Sequence, residues 1–424
     1  MNNPIWFHID VNNAFLSWTA VDELANGVKR DLRSMPAIIG GSRETRHGVV
    51  LAKSMPAKSY GVRTGEPVTD ALKKCPNLVI VPPSHQKYSE YSHRLMKYLQ
   101  QYSPEIIQYS IDECFMHYLP EFQKNQTEAM RRQSAVAAAI ALKDEIKTQF
   151  GFTVNIGISN NRLLAKMASD FEKPDKVHTL FQDEIQKKMW PLPVSDLFMV
   201  GKMSAQKLRL LGIKTIGDLA KMDPEIIESH LKSHGRTIWS YANGIEITPL
   251  DERTKADINN KGIGNSTTLA HDVTDRKEVS KILQGLAEKT GSRLRQTNQL
   301  AGQICVEIKY FDFQSVSHQG ALLTATDNTA VILKNAERLF DEIWTGVPIR
   351  LLGIRLSKLT EEYGQQLNLF DMGGKDAKKQ QQLDKALDEI RNRFGKTAIM
   401  RGSAVKKTDA RFGWEAEADM EDED

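Results

Sequence analysis

Two carboxylates stand side by side in YSIDECFMHYL, residues 109–119, inside a run that otherwise reads as a β-strand. Successive side chains of a strand point to opposite faces, so either Asp112 or Glu113 faces a core unless the strand ends or bends there. A third acid, Asp10, closes the first strand-like segment in FHIDVNNAF. Three acids at strand ends can share one edge of a sheet and hold two divalent cations about 3.5 to 4 Å apart, a geometry used for phosphoryl transfer. Oxygen ligands without His or Cys suit magnesium. Singly, each acid has a plainer explanation. Asp10 can cap the next helix, as Asn12 or Asn13 can equally, and Asp112 and Glu113 can be a solvated strand edge.

The surrounding pattern is mixed. IWFHID reads as a strand and NNAFLSWTAVDELAN as a helix; PAIIGG, GVVLAKS and NLVIV read as short strands. Helices follow across QKYSEYSHRLMKYLQQYS and AVAAAIALKDEIKTQF, then the strand FTVNIGIS and the helix NRLLAKMASDF. This makes an α+β region of about 190 residues. PLPVSDL breaks the pattern, and two short helices then flank a turn at Gly212 and Ile213. The polar stretch DERTKADINNKGIGN suits a linker, after which residues 264–360 again mix strands (QICVEIKYFDF, IRLLGIRLSKL) with amphipathic helices. Residues 361–424 are polar, with a basic segment before an acidic end, and no internal repeat is evident.

Composition narrows the class. A chain of 424 residues with 40% hydrophobic content has enough apolar material for several cores. No apolar run approaches the roughly 20 residues that span a bilayer, and the N-terminus has neither a basic start nor a long apolar segment, so a cytoplasmic location is expected. Cys75, Cys114 and Cys305 have no zinc or dithiol spacing and read as buried thiols. The overall charge of +3 conceals seven acids in the last ten residues, so the first 414 residues carry +10, a balance that favours a polyanionic partner.

The motifs FHIDVNNAF, SIDECF, AKSMPAKSYGVR and GISNNRLLAKMASDFEKP, in this order, resemble the Y-family (translesion) DNA polymerases of the DNA polymerase IV type. The resemblance covers about residues 5–370. It implies an α+β multidomain right hand: a palm over 1–188 with a fingers insertion at about 30–85, and a helical thumb with a helix-hairpin-helix over 189–250. A linker at 251–263, a little finger domain over 264–360 and a polar tail would follow. The implied activity is template-directed primer extension with deoxynucleoside triphosphates past damaged template. A non-catalytic DNA-bound adaptor and a two-metal nuclease are the alternatives.

The resemblance also assigns roles. Asp10, Asp112 and Glu113, with the backbone carbonyl of Val11, would bind two Mg²⁺, Glu113 lying nearest the primer terminus. Lys166, at the start of its helix, and Lys58 would meet the triphosphate. Phe15 would be the steric gate that excludes a ribose 2′-hydroxyl. Family members commonly carry Tyr and Arg where this chain has Met55 and Lys58, so nucleotide contacts are distributed differently here. Gly201 and Lys202, in VGKMSAQKLRLLGIKTIGDL, would hold a DNA phosphate at a helix N-terminus, although the usual first glycine of that turn is Met199. Gln366, Leu367, Leu369 and Phe370, in QQLNLFD, resemble the peptide that docks bacterial polymerases on the sliding clamp. The implied enzyme works as a monomer on primer-template DNA.

Overall fold

The first strand is buried on both faces, and it becomes the middle of a sheet. The computed structural model describes residues 4–41, 48–119, 127–247, 262–361, 374–395 and 398–399, which fall into two units divided between residues 247 and 262. In the first unit, β1 (Trp6–Val11) runs into α1 (Ala14–Ala25). An insertion follows, with β2 (Ala37–Gly40), β3 (Val50–Lys53), α2 (Met55–Ser59), α3 (Val68–Lys74) and β4 (Val79–Val81). Its sheet has the order β3-β2-β4 and its own small core around Ile38, Val50, Val68 and Leu78.

The chain then forms α4 (His85–Leu99), β5 (Ile106–Gln108), β6 (Glu113–His117), α5 (Glu128–Phe150), β7 (Val154–Ser159), α6 (Arg162–Ser169) and β8 (Val177–Thr179). Five strands pair in the order β5-β6-β1-β7-β8, antiparallel except for β7 with β8. Period-two alternation gives β1 two different faces. Phe7, Ile9 and Val11 enter a core with Trp18 of α1, Leu95 of α4 and Leu142 of α5. Trp6, His8 and Asp10 face the other way, where Trp6 packs on Phe115 and on Ala165 of α6. α6 lies so close to β7 that a Cβ on Gly157 would sit 1.9 Å from the Ala165 carbonyl oxygen, so only glycine fits.

α7 (Ile185–Lys188), α8 (Lys202–Leu210), α9 (Ile216–Lys221), α10 (Pro224–Leu231) and α11 (Ser233–Ala242) complete this unit. Their core, with Leu208, Ile216 and Ile238, also takes in Leu163, Leu164 and Met167, so the α6 helix is held from both sides. The turn between α8 and α9 falls at Gly212, with φ of +81°, where the sequence places it.

The second unit comprises β9 (Gly262–Val273), α12 (Arg276–Gln296), β10 (Leu300–Tyr310), β11 (Ser315–Thr326), α13 (Thr329–Ile343), β12 (Ile349–Thr360) and α14 (Gly374–Phe394). Its antiparallel sheet has the order β11-β10-β12-β9, and α12 and α13 cover it through Leu283, Leu286, Ile332 and Phe340. Two expectations change here. β9 begins inside the stretch that composition marks as linker, since Gly262 and Ile263 already pair with Ser357 and Leu356 of β12. The tail expected from residue 361 contains a helix, α14, whose Asp388 lies 2.6 Å from Arg295 and whose Asp384, 2% exposed, accepts from the Thr329 N–H at 3.0 Å. Charge pairing with the body of the unit holds a helix too polar to be recognised by an apolar stripe.

Candidate active site

The adjacent acids do not share a strand. Tyr109 and Ser110 donate their N–H groups to the Glu113 carbonyl at 3.0 and 3.1 Å, which closes a hairpin turn with Asp112 in it and starts β6 at Glu113. Asp112 is fixed by a Ser110 hydroxyl that donates to Oδ1 at 2.6 Å, and its carbonyl accepts from Val11 N–H at 3.0 Å. Glu113 stands opposite Asp10 in the β1–β6 register. All three acids thus gather at one end of two neighbouring strands. Asp10 does not cap α1, whose N-cap position is Asn13 without a side-chain cap bond; its Oδ2 instead accepts from Lys173 Nζ at 2.8 Å.

Each of the two strand acids has a cationic partner. Burial pushes the Asp10 carboxyl up, while Lys173 pulls it back. Burial also opposes ionisation of Glu113, but His8 and Lys166 outweigh it and hold that carboxyl down at about 2. Lys166 Nζ bonds Glu113 Oε2, and His8 Nε2 lies 3.1 Å from the same oxygen. His8, Asp10 and Glu113 offer one nitrogen and two oxygens that all lie within 4.8 Å of one another.

A cleft of about 400 Å³ opens beside Asp10 and Asp112. Val11 and Phe15 line it from the β1–α1 corner, Lys53, Met55 and Lys58 from the insertion, and Lys173 from the segment after α6. Phe15 stacks on Tyr88 with ring centroids 4.6 Å apart and an interplanar angle of 14°. Burial and then repulsion from Lys58 push the Lys53 ammonium down. Asn12 and Asn155 hold the loop that carries Lys173. Asn12 Oδ1 accepts from the Asp175 N–H at 2.9 Å, and Asn155 Nδ2 donates to the Ser169 and Glu172 carbonyls at 3.0 and 2.7 Å.

Lys166 needs a correction of position. It is the fifth residue of α6, buried in its last turn against Glu113, and not at the start of the helix, which Asn161 caps. Gly201 caps α8 with open space around its Cα, and Lys202 is exposed beside it. Met199 adopts φ of +72°, so the left-handed backbone that a glycine would give is kept at a cost of order 1 kcal/mol. Gln366, Leu367, Leu369 and Phe370 lie outside the described residues. Cys114 is a core residue whose thiol burial pushes up to about 12, which removes it as a nucleophile. His8, Lys53 and Lys173 are the site residues that sequence reasoning missed. Period two from Asp10 points to His8, and Lys173 lies in the FEKP stretch of a recognised motif.

Comparisons with known proteins agree with this architecture. The impB/mucB/samB family matches residues 9–170, and the C-terminal domain of the same family matches residues 260–369. DNA polymerase IV of Clostridium acetobutylicum is 47% identical over 405 residues, which cover 96% of this chain and 99% of that protein. The chain belongs to the Y-family DNA polymerases, DNA polymerase IV type. DNA polymerase IV of Acetivibrio thermocellus is 33% identical over 93% of this chain and 96% of its own length, and DNA polymerase IV 1 of Bacillus subtilis is 32% identical over 96% and 94%. A solved Y-family DNA polymerase chimera of Dbh and Dpo4 shares the fold, with a TM-score of 0.68 at 21% identity, over 84% of this chain and all of that one. The Y-family fold implies dependence on a divalent metal. No helix among the described residues is long and apolar enough to cross a membrane.

Proposed function

We propose that this Y-family polymerase extends primers past damaged template bases, with the acids at the β1–β6 end and the lysines of the insertion working on one nucleotide in one cleft. The observation that carries this reading is that cleft: β1 and the turn before β6 supply Asp10 and Asp112, and the three-stranded sheet and its helices supply Lys53 and Lys58. Carboxylates that meet ammonium groups across a cleft suit a substrate that is a metal-bound polyphosphate.

Asp10, Asp112 and Glu113, with the Val11 carbonyl, would hold two Mg²⁺. The donor set fits, being hard oxygen, and the lysines on Asp10 and Glu113 mark the negative potential that cations would neutralise. Bound there, the ions would favour ionisation of the primer 3′-hydroxyl and offset charge on the triphosphate. The protein's own part is positioning. Glu113 would face the primer terminus, Phe15, stacked on Tyr88, would lie beneath the sugar, and Lys58 and Lys173, which line the cleft, would reach the phosphates. Lys173 lines the cleft, whereas Lys166 lies behind it against Glu113, so Lys173 joins Lys58 and Lys166 as a candidate phosphate contact. Gly201 and Lys202 hold a backbone phosphate, and Gln366, Leu367, Leu369 and Phe370 dock a monomeric cytoplasmic enzyme on the sliding clamp.

Primer extension by the purified chain, on templates with and without an abasic site, tests this reading. Extension on both that requires deoxynucleoside triphosphates and Mg²⁺ supports it. Absence of extension on either, by a folded protein that binds DNA, leaves the adaptor.

A further inference from the structure

His8 lies at the centre of a buried contact that the assigned roles do not use. The side chain is 0% exposed and packs on Phe115 with centroids 4.7 Å apart. Nδ1 is 2.8 Å from Ser169 Oγ, and Nε2 is 3.1 Å from Glu113 Oε2. A carboxylate only accepts, so this contact is favourable only with the proton on Nε2. With that proton on Nε2, Nδ1 is free to accept from the Ser169 hydroxyl. That hydroxyl is also 2.8 Å from the Lys166 carbonyl, and its single proton serves one partner at a time.

Glu113 therefore has two nitrogen neighbours of different kinds. Lys166 sits on a flexible four-carbon stem and can leave when a cation arrives. His8 cannot, because its strand and its ring are both packed. We propose that His8, braced by Ser169, is a positioning residue that holds the Glu113 carboxylate in the orientation in which it takes a divalent cation. The proposal rests on the assignment of Glu113 as a metal ligand. It also gives the hydroxyl of Ser169, at the C-terminal end of α6, a role.

The test compares His8→Leu, His8→Gln, Ser169→Ala and Glu113→Gln with the wild type, with melting temperature as the check on folding. Binding of Mn²⁺ alone is followed by electron paramagnetic resonance, and steady-state extension gives kcat, nucleotide KM and the Mg²⁺ midpoint. His8→Leu should weaken Mn²⁺ binding and raise the Mg²⁺ midpoint by roughly 10- to 100-fold, the range for groups that orient a metal ligand. It should lower kcat with nucleotide KM little changed, and His8→Gln, whose amide can still donate to the carboxylate, should recover most of the loss. A folded His8→Leu protein with wild-type Mn²⁺ affinity and Mg²⁺ midpoint overturns the proposal. If His8→Leu does not fold, Ser169→Ala decides: weaker Mn²⁺ binding supports the brace and unchanged binding overturns it. Wild-type Mn²⁺ binding by Glu113→Gln overturns the ligand assignment and the proposal together, whereas loss there with no effect at His8 and Ser169 overturns the proposal alone.

Discussion

Replacing Phe15 by alanine separates what the ring does for the fold from what it does for the sugar. The ring stacks on Tyr88 at 4.6 Å and packs, partly buried, against the core that holds Trp18. A fully buried phenylalanine loses about 3–5 kcal/mol on truncation; with one face open to the cleft, Phe15 should lose about half of that, ~2 kcal/mol. The functional effect is separate. A hydroxyl forced against a packed ring costs about 1–3 kcal/mol in an overfilled site, so removing the ring should reduce discrimination against ribonucleotides by roughly 5- to 150-fold. Deoxynucleotide incorporation should change much less. The assay is kcat/KM for a ribonucleotide and its deoxy counterpart, with melting temperature read on the same preparations. A folded Phe15→Ala enzyme with undiminished discrimination would refute the reasoning and move the gate to another residue.

Three further outcomes are expected. Gly157→Ala should destabilise the first unit by about 3 kcal/mol or more and reduce extension with it, because the new Cβ meets the Ala165 carbonyl oxygen at 1.9 Å and displaces the helix that carries Lys166 and Ser169; an unchanged melting temperature would contradict this. DNA binding should weaken steeply with salt, and Lys202→Ala should lower the slope of log affinity against log salt by about one, the signature of a single phosphate contact; a slope equal to that of the wild type would rule that contact out. Replacing Leu369 and Phe370 together with alanine should abolish stimulation by the sliding clamp and leave clamp-free extension intact, whereas equal stimulation of mutant and wild type would remove the docking assignment without touching the catalytic one.

The parts of the fold that sequence made legible are those where one physical signal dominates. β1 reads directly as a buried strand because Trp6, Phe7, Ile9 and Val11 leave no polar face except His8 and Asp10. The helical hairpin reads from its glycine at Gly212, which needs a positive φ. β9 does not read, since Gly262, Gly264, Asn265, Ser266 and Thr267 have the composition of a loop and become a strand only by pairing with β12. α14 is hidden for a related reason, its attachment being Asp384, Asp388 and Arg391 on partners about 55 to 100 residues earlier in the chain. At the site, the acids were legible as a set, but the bend that frees Asp112 from its strand depends on backbone bonds from Tyr109 and Ser110. The presence of Lys173 in the cleft depends on the loop that Asn12 and Asn155 hold, a tertiary contact with no local signature.

The central claim is that the acids gathered at the end of β1 and β6 drive nucleotide transfer. Asp112→Asn tests it most directly, because Asp112 lines the cleft and asparagine keeps its shape while removing the charge. Single-turnover incorporation of one correct deoxynucleotide in Mg²⁺, with DNA affinity measured alongside, should fall by about a thousandfold, the loss expected for several kcal/mol of charge stabilisation, while DNA affinity stays near that of the wild type. Incorporation by Asp112→Asn at the wild-type rate would contradict the account.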